Sequence, residues 1–354
     1  MCSSDLVTDT DWGTLSNQAI AAAGIVYFLA LIAHLVEWSS MRRLPAAAVA
    51  GAARTDAKSG SRAEGDVLVD LGPEKASGDE ATEARRERQA LFERLGLLLT
   101  GLGAVLHLVA LFSRGMAADP NRVPWGNMYE FTMAGTFLVV VMYLVFYRRF
   151  ALAWLSLAVT SFTVALLMVD VVWLYGPVAP LTEALNSPWL VIHVISACIA
   201  TGAFTLGGMT SALYLVKDRQ IRKGTEPRGW MARVPEPSRL DLVAYRMHAF
   251  AFPVWTFAVL ITGPIWAHQA WSSYWNWDPK EVWAFITWVV YAAYLHARST
   301  AGWKGRNAAI LALVGTFTLW FNFIGINYFS TTSQHSYAAP AVTAPATPPA
   351  SPGV

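Results

Sequence analysis

The sequence predicts an all-α bundle of about eight membrane-spanning helices, and three observations predict it. Apolar residues make up 55% of the 354 residues and charged residues only 14%, where a soluble domain carries about 25% charged residues. Eight apolar stretches recur along the chain, most of them long enough to cross hydrocarbon at about 20 residues per span. Lys and Arg then fall into alternate connecting segments, the asymmetry that orients membrane proteins. Together these exclude an ordinary soluble enzyme. The two cysteines, Cys2 and Cys198, have no CxxC or metal-type spacing. That excludes a self-contained thiol oxidoreductase, a disulfide scaffold and a Cys-ligated cluster.

The stretches run near 18–38, 91–112, 129–147, 151–175, 189–216, 242–267, 282–297 and 308–329. No basic n-region with a small-residue cleavage site precedes the first, so no cleaved signal peptide is expected. Between the first and second, 44–90 is expected to be a disordered cytoplasmic linker, rich in Ala, Gly, Ser and mixed charge without an apolar period. The fifth opens at the helix-start pair Ser187-Pro188. The seventh is short for a span unless Pro279-Lys280-Glu281 forms its first turn. Pro is at home there, because its missing N–H would be unpaired anyway. The Ala/Pro/Thr tail 338–354 is expected to be disordered and external. No internal or inverted repeat is visible, which disfavours a secondary transporter.

Orientation follows from the basic residues. Segments 39–94, 148–149, 217–246 and 298–306 hold 23 of the 26 Lys and Arg. The other three are Arg114, Arg122 and Lys280. Both termini are therefore expected outside, and 1–43 reads as an external N-terminus with the first span. Residues 91–337 read as the membrane domain, with an external loop at 266–283.

That loop is the densest chemical feature. Five Trp fall within 18 residues from Trp266 to Trp283. An interfacial aromatic belt spreads over many helix ends at both faces. This cluster sits in one loop and includes Asp278, Lys280 and Glu281. A flat aromatic platform with a few fixed polar groups suits a large planar ligand carrying carboxylates.

Histidine is the second feature, since it is rare in spans and functional there by default. Imidazole is also the usual axial ligand of haem iron. His193 lies near the outer end of the fifth span and His335 just beyond the outer end of the eighth. These two can meet on the side of the Trp loop and hold one metal in the axial geometry a porphyrin leaves open. His296 lies deep in the seventh span, about 22 Å from the loop at 1.5 Å per residue. It belongs to an inner level, and His34 of the first span is at similar depth. His107, His248 and His268 read as ordinary buried or loop histidines.

The string from Trp271 to Glu281, Trp-Ser-Ser-Tyr-Trp-Asn-Trp-Asp-Pro-Lys-Glu, resembles the WWD signature of haem-handling proteins, usually WGxxWxWDPKE. Residues 124–130 resemble the family's P-x-x-N-x-Y-E external loop, and 262–267 its TGxxWA approach. Residues 294–298 resemble its YLHxR, and 329–337 its terminal histidine segment. The likeness runs from about residue 90 to 338. Size sets it beside the CcsA/ResC branch, called CcsB in actinobacteria, of the System II cytochrome c maturation pathway. The CcmC type has fewer spans, and the CcmF type is much longer. Two departures stand out. Ser272 replaces the usual Gly, with only a slight change of turn expected, and the 39–90 insertion is no family hallmark.

The resemblance implies a multi-pass protein of the cytoplasmic (plasma) membrane, with 91–337 as a haem-handling domain. Haem b, as bound substrate, is moved to the outer face and attached through thioethers to CxxCH segments of apocytochrome c. The chain is then a cytochrome c synthase (haem lyase) subunit, active with a ResB-like membrane partner. His193 and His335 are implied as outer axial ligands. His296 is implied as an inner ligand whose mate comes from the ResB-like part, with His34 as a depth-based alternative. Trp271, Trp275 and Trp277 would stack along the ring or bound its edge. Asp278, Lys280 and Glu281 would fix the loop, with a propionate near Lys280. No protein nucleophile is needed, because the attacking thiol belongs to the client. Further partners are a thioredoxin-like thiol reductant, its membrane electron donor and membrane lipid, but no nucleic acid. Two other classes fit parts of the pattern. A membrane b-type cytochrome predicts paired histidines on facing helices, and a haem or amphipathic solute transporter predicts broken helices with midplane charges.

Overall fold

The computed structural model describes residues 9–39, 73–178, 187–225, 227, 230–300, 303–330 and 333. Among these the regular structure is entirely helical. Eight long helices follow in order: α1 (Asp9–Ser39), α2 (Pro73–Met116), α3 (Met128–Arg149) and α4 (Leu152–Leu174). Then come α5 (Pro188–Arg222), α6 (Pro237–Trp271), α7 (Pro279–Ser299) and α8 (Arg306–Phe329). All but α7 are long and apolar enough to cross a membrane. The 21 residues of α7 extend about 31 Å at helical rise, but its Trp, Tyr and His lower its hydropathy. The protein is a polytopic membrane helix bundle.

The expected start signals act as such. Ser187 caps α5 by accepting the Trp189 N–H at 3.2 Å, with Pro188 first in the helix. Pro279 opens α7 behind the cap residue Asp278. Asn127 caps α3, accepting the Glu130 N–H at 2.9 Å. One expectation is corrected. The linker expected at 44–90 is helical from Pro73 onward. Ala, Glu and Arg dominate 73–90 and are strong helix formers. A helix continuing into an apolar span also needs no second nucleation. Residues 44–72 and the tail 338–354 lie outside the described residues.

α5 is the centre of the bundle, packed on α3, α6 and α8, while α1 pairs along its length with α2 and rests on α4. Close approach on α5 needs glycine: a Cβ on Gly208 would lie 2.5 Å from the Thr316 hydroxyl. The core has two parts. One gathers Tyr143, Phe204, Trp255 and Tyr291; the other gathers Tyr27, Tyr129, Met133 and Trp266.

The three exceptions to the charge asymmetry all have internal partners. Glu130 is fully buried and accepts from Arg114 Nε at 3.1 Å, from Arg122 at 2.7 Å and from the Gly126 N–H at 2.7 Å. Lys280 donates to Asn327 at 3.2 Å. Finally, α4, α6 and α8 each carry a π-helical segment, at Asp170–Leu174, Phe257–Thr262 and Phe321–Gly325. Such segments release carbonyls from the regular ladder and recur at functional sites.

Candidate functional site

A cavity of about 1270 Å³, its open mouth included, lies under the Trp-rich loop among α3, α5, α6, α7 and α8. His193 of α5 lines it. Its Nδ1 lies 2.9 Å from the Ala258 carbonyl. A carbonyl only accepts, so Nδ1 carries the proton and Nε2 is the nitrogen with the lone pair. Metal-binding imidazoles are commonly held this way. Ala258 lies in the π segment of α6, where its carbonyl also takes the Thr262 hydroxyl at 3.0 Å and the Gly263 N–H. The Trp266 indole lies parallel to the imidazole at 6.0 Å, and Trp271 packs edge-on against Trp266 at 4.8 Å.

The loop is held by its own carboxylates. Asp278 accepts the Lys280 N–H at 2.9 Å and the Ser333 hydroxyl at 2.8 Å. Glu281 accepts the N–H groups of Asn276 at 2.9 Å and Asp278 at 3.2 Å. Asp278 and Glu281 thus form a reciprocal capping box at the start of α7. Lys280 stands ahead of the apolar run of α7. Burial pushes its ammonium down to about 8, and the neighbouring Asp278 carboxylate opposes that shift. Ser272 is left-handed (φ +57°) and its N–H closes on the His268 carbonyl at 2.9 Å. That backbone explains why glycine is usual here: a Cβ in this region is strained. Trp277 is left-handed too (φ +55°) and 72% exposed.

The structure brings His193, Trp275, Lys280 and Glu281 to one cavity. Trp271 supports Trp266 from behind, Asp278 caps the helix, and Trp277 faces outward. His335 lies outside the described residues. His296 is exposed on the surface of α7 rather than turned into the bundle. His34 is buried, with Nδ1 3.1 Å from Glu37 of its own helix. It is not brought to His296, since α1 packs on α2 and α4 whereas α7 packs on α6 and α8.

Four features of the cavity were not singled out from the sequence: Trp266 as the partner of His193, the Ala258 carbonyl, and the threonines Thr132 and Thr136 on its α3 wall. The threonine spacing of four was visible. The direction of their hydroxyls was not.

Fold and site define a multi-pass membrane protein with an imidazole-bearing cavity under an aromatic loop. Residues 125–333 match the family described as Cytochrome C assembly protein. The chain is 35% identical over 250 residues to the cytochrome c biogenesis protein CcsA of Chlamydomonas reinhardtii, covering 68% of this chain and 67% of that one. It is 32% identical to CcsA of Mesostigma viride, covering 70% and 86%, and 31% identical to CcsA of Gloeobacter violaceus, covering 70% and 89%. Among solved structures the fold is similar to the cytochrome c heme lyase CcmF (TM-score 0.54, 14% identity). That likeness covers 92% of this chain and about half of the other (50%). The chain belongs to the cytochrome c assembly protein family, as a CcsA-type cytochrome c biogenesis protein.

Proposed function

We propose that this chain takes haem b as substrate at the outer end of the bundle and presents it for covalent attachment to apocytochrome c. One observation carries the reading. His193 is fixed in its Nδ1–H tautomer by the Ala258 carbonyl, beside an indole, on the wall of the cavity under the Trp loop. An imidazole so held offers Nε2 to an axial position of a planar iron macrocycle.

His335 is the proposed second axial ligand. Ser333, two residues earlier in the sequence, is anchored on Asp278. His296 is the proposed ligand of an inner haem position. It shares an exposed face of α7 with Phe285 and Val289, so its mate comes from another chain, a ResB-like membrane partner. In this reading the membrane is the plasma membrane, and the Lys and Arg distribution supports an outward loop and outward termini.

In the reaction, the S–H of a client cysteine adds across a haem vinyl group. The C–S bond forms, the vinyl π bond is consumed and the proton ends on the other vinyl carbon, with no net redox change. This chain holds the iron, bounds the ring and keeps the loop in shape. A thioredoxin-like reductant, fed by its membrane electron donor, keeps the client thiols reduced. A b-type cytochrome would face histidine against histidine. Instead His34 meets Glu37, His107 packs against Tyr27 and Phe137, and His248 packs against Phe204, Tyr291 and Tyr294.

Visible spectra of the protein purified with its ResB-like partner test the reading. A bis-histidine haem band is expected, falling in His193→Ala and in His335→Ala and recovering with added imidazole. Loss in His296→Ala reports the inner position. Wild-type complex without haem overturns the ligand assignments.

A further inference from the structure

Threonines in the helices of this protein behave in two ways. Thr100, Thr160, Thr163, Thr210, Thr256, Thr287 and Thr316 donate to the carbonyl four residues earlier, at 2.8 or 2.9 Å. A hydroxyl in an apolar helix has this bond within easy reach. Thr132 and Thr136 of α3 do not make it. They are 4% and 1% exposed, both line the cavity, and neither hydroxyl has a hydrogen-bond partner. Thr205 of α5 is also unpaired, but it does not line the cavity. Spaced by four, Thr132 and Thr136 share a face of α3, about 6 Å apart in height. From α8, the π segment aims a third group at the same space: Asn322 is 7% exposed and its Oδ1 has no partner. Leaving a buried polar atom unpaired is unfavourable. Two hydroxyls forgo an available bond on the wall that faces a cavity, and that arrangement implies a ligand that completes it.

The identity of the ligand rests on the function proposed above. Haem carries its two vinyl groups and its two carboxylates toward opposite edges of the ring. The vinyl edge must meet thiols arriving from outside, so the carboxylate edge turns inward. Lys280, beside which the resemblance implies a propionate, lines the same cavity and donates to Asn327 at 3.2 Å. A hydroxyl donates to a carboxylate and accepts from a carboxylic acid. Threonine therefore serves either form of the propionate.

We propose that Thr132 and Thr136 are positioning residues that hold the carboxylate edge of haem on the α3 wall, which leaves the vinyl edge at the mouth of the cavity. Asn322 closes the polar set from α8.

Titration of two iron macrocycles into the full chain, purified with its partner and stripped of haem, tests this. One is haem; the other is iron etioporphyrin, whose substituents are all alkyl. In Thr132→Val with Thr136→Val, the shape stays and the hydroxyls go. Haem affinity should fall about tenfold or more, while etioporphyrin affinity stays within about twofold. Thr132→Ser with Thr136→Ser should restore haem affinity. Thr160→Val, which removes a hydroxyl bonded to its own helix, should change neither titration. Retained etioporphyrin binding shows that the valine variant is folded; should it not fold, Thr136→Val alone is read in the same way. Equal haem affinity in wild type and variant overturns the inference, as does an equal loss for both macrocycles. Wild type that binds etioporphyrin through His193 but gains nothing from haem's carboxylates overturns the inference and leaves the haem site standing. Wild type that binds neither overturns both.

Discussion

The Trp-loop end of the bundle and the opposite end hold the same residue types in opposite roles. At the end away from the loop, charge and imidazole close the structure. Glu37 is fully buried and takes Arg233, which also reaches Glu93 at 3.4 Å, and Tyr147 donates to Glu93 at 3.2 Å. Arg298 grips both oxygens of Asp241 at 2.6 and 2.7 Å. His248 is fully buried, and Gly207 leaves room for its ring: a Cβ there would lie 2.5 Å from it. At the loop end the carboxylates shape a loop, and the imidazole has a carbonyl on one nitrogen and a cavity beside it. The lesson is that a histidine makes a candidate site when one nitrogen is fixed by a carbonyl and the ring lines a cavity. Burial alone makes packing.

The strongest test of this contrast is in the charges. Arg233→Met leaves Glu37 buried without its guanidinium and should cost about 3–5 kcal/mol, read as a lower unfolding midpoint in detergent. Haem affinity of the folded fraction should be unchanged. Glu130→Gln should cost a comparable amount, because Arg114 and Arg122 lose their shared carboxylate. It should also weaken haem binding, because Met128 and Phe131 beside it line the cavity. If Arg233→Met weakened haem binding as much as Glu130→Gln, the two ends would be coupled and the contrast would fail.

Next come the two histidines. His193→Ala should remove the outer part of the haem band while costing about 1 kcal/mol, the worth of one hydrogen bond. His248→Ala should do the reverse. It empties a packed aromatic site at a cost of about 2–4 kcal/mol and keeps the band in the protein that remains folded. The same loss of haem from both variants, at equal stability, would make His248 part of the haem route.

Much of this was legible in the sequence, and the reasons differ by feature. The spans are written in apolar runs, and the caps at Ser187 and Asp278 in residue types that satisfy open N–H groups. His193 was legible because a histidine near a span end beside a Trp loop has few ordinary explanations. The outward face of His296 was legible in part, since Phe285, Val289 and His296 fall on one helical stripe. The helical start at Pro73 was hidden because polar, Ala-rich sequence suits both linker and helix. Nothing in the residue type separates Thr132 and Thr136 from Thr160 and Thr163, whose hydroxyls bond their own helix. That choice is a side-chain rotation set by what lies opposite.

The smallest expected effects come from the two left-handed loop residues, and they separate scaffold from contact surface. Relieving a left-handed non-glycine residue should gain about 1 kcal/mol. Ser272→Gly should therefore raise the unfolding midpoint slightly and leave haem transfer to apocytochrome c unchanged. Trp277→Gly should bring the same relief, since its φ is nearly the same. Yet Trp277 is 72% exposed, so this strained backbone aims an indole away from the fold. Strain kept at an exposed aromatic points to a role for that side chain outside the folded core. If the role is contact with the client, Trp277→Gly gives a more stable protein that transfers haem more slowly, with unchanged haem affinity at His193. If transfer is also unchanged, Trp277 is an interfacial membrane anchor, and the working surface of the loop ends at Trp275, on the cavity wall.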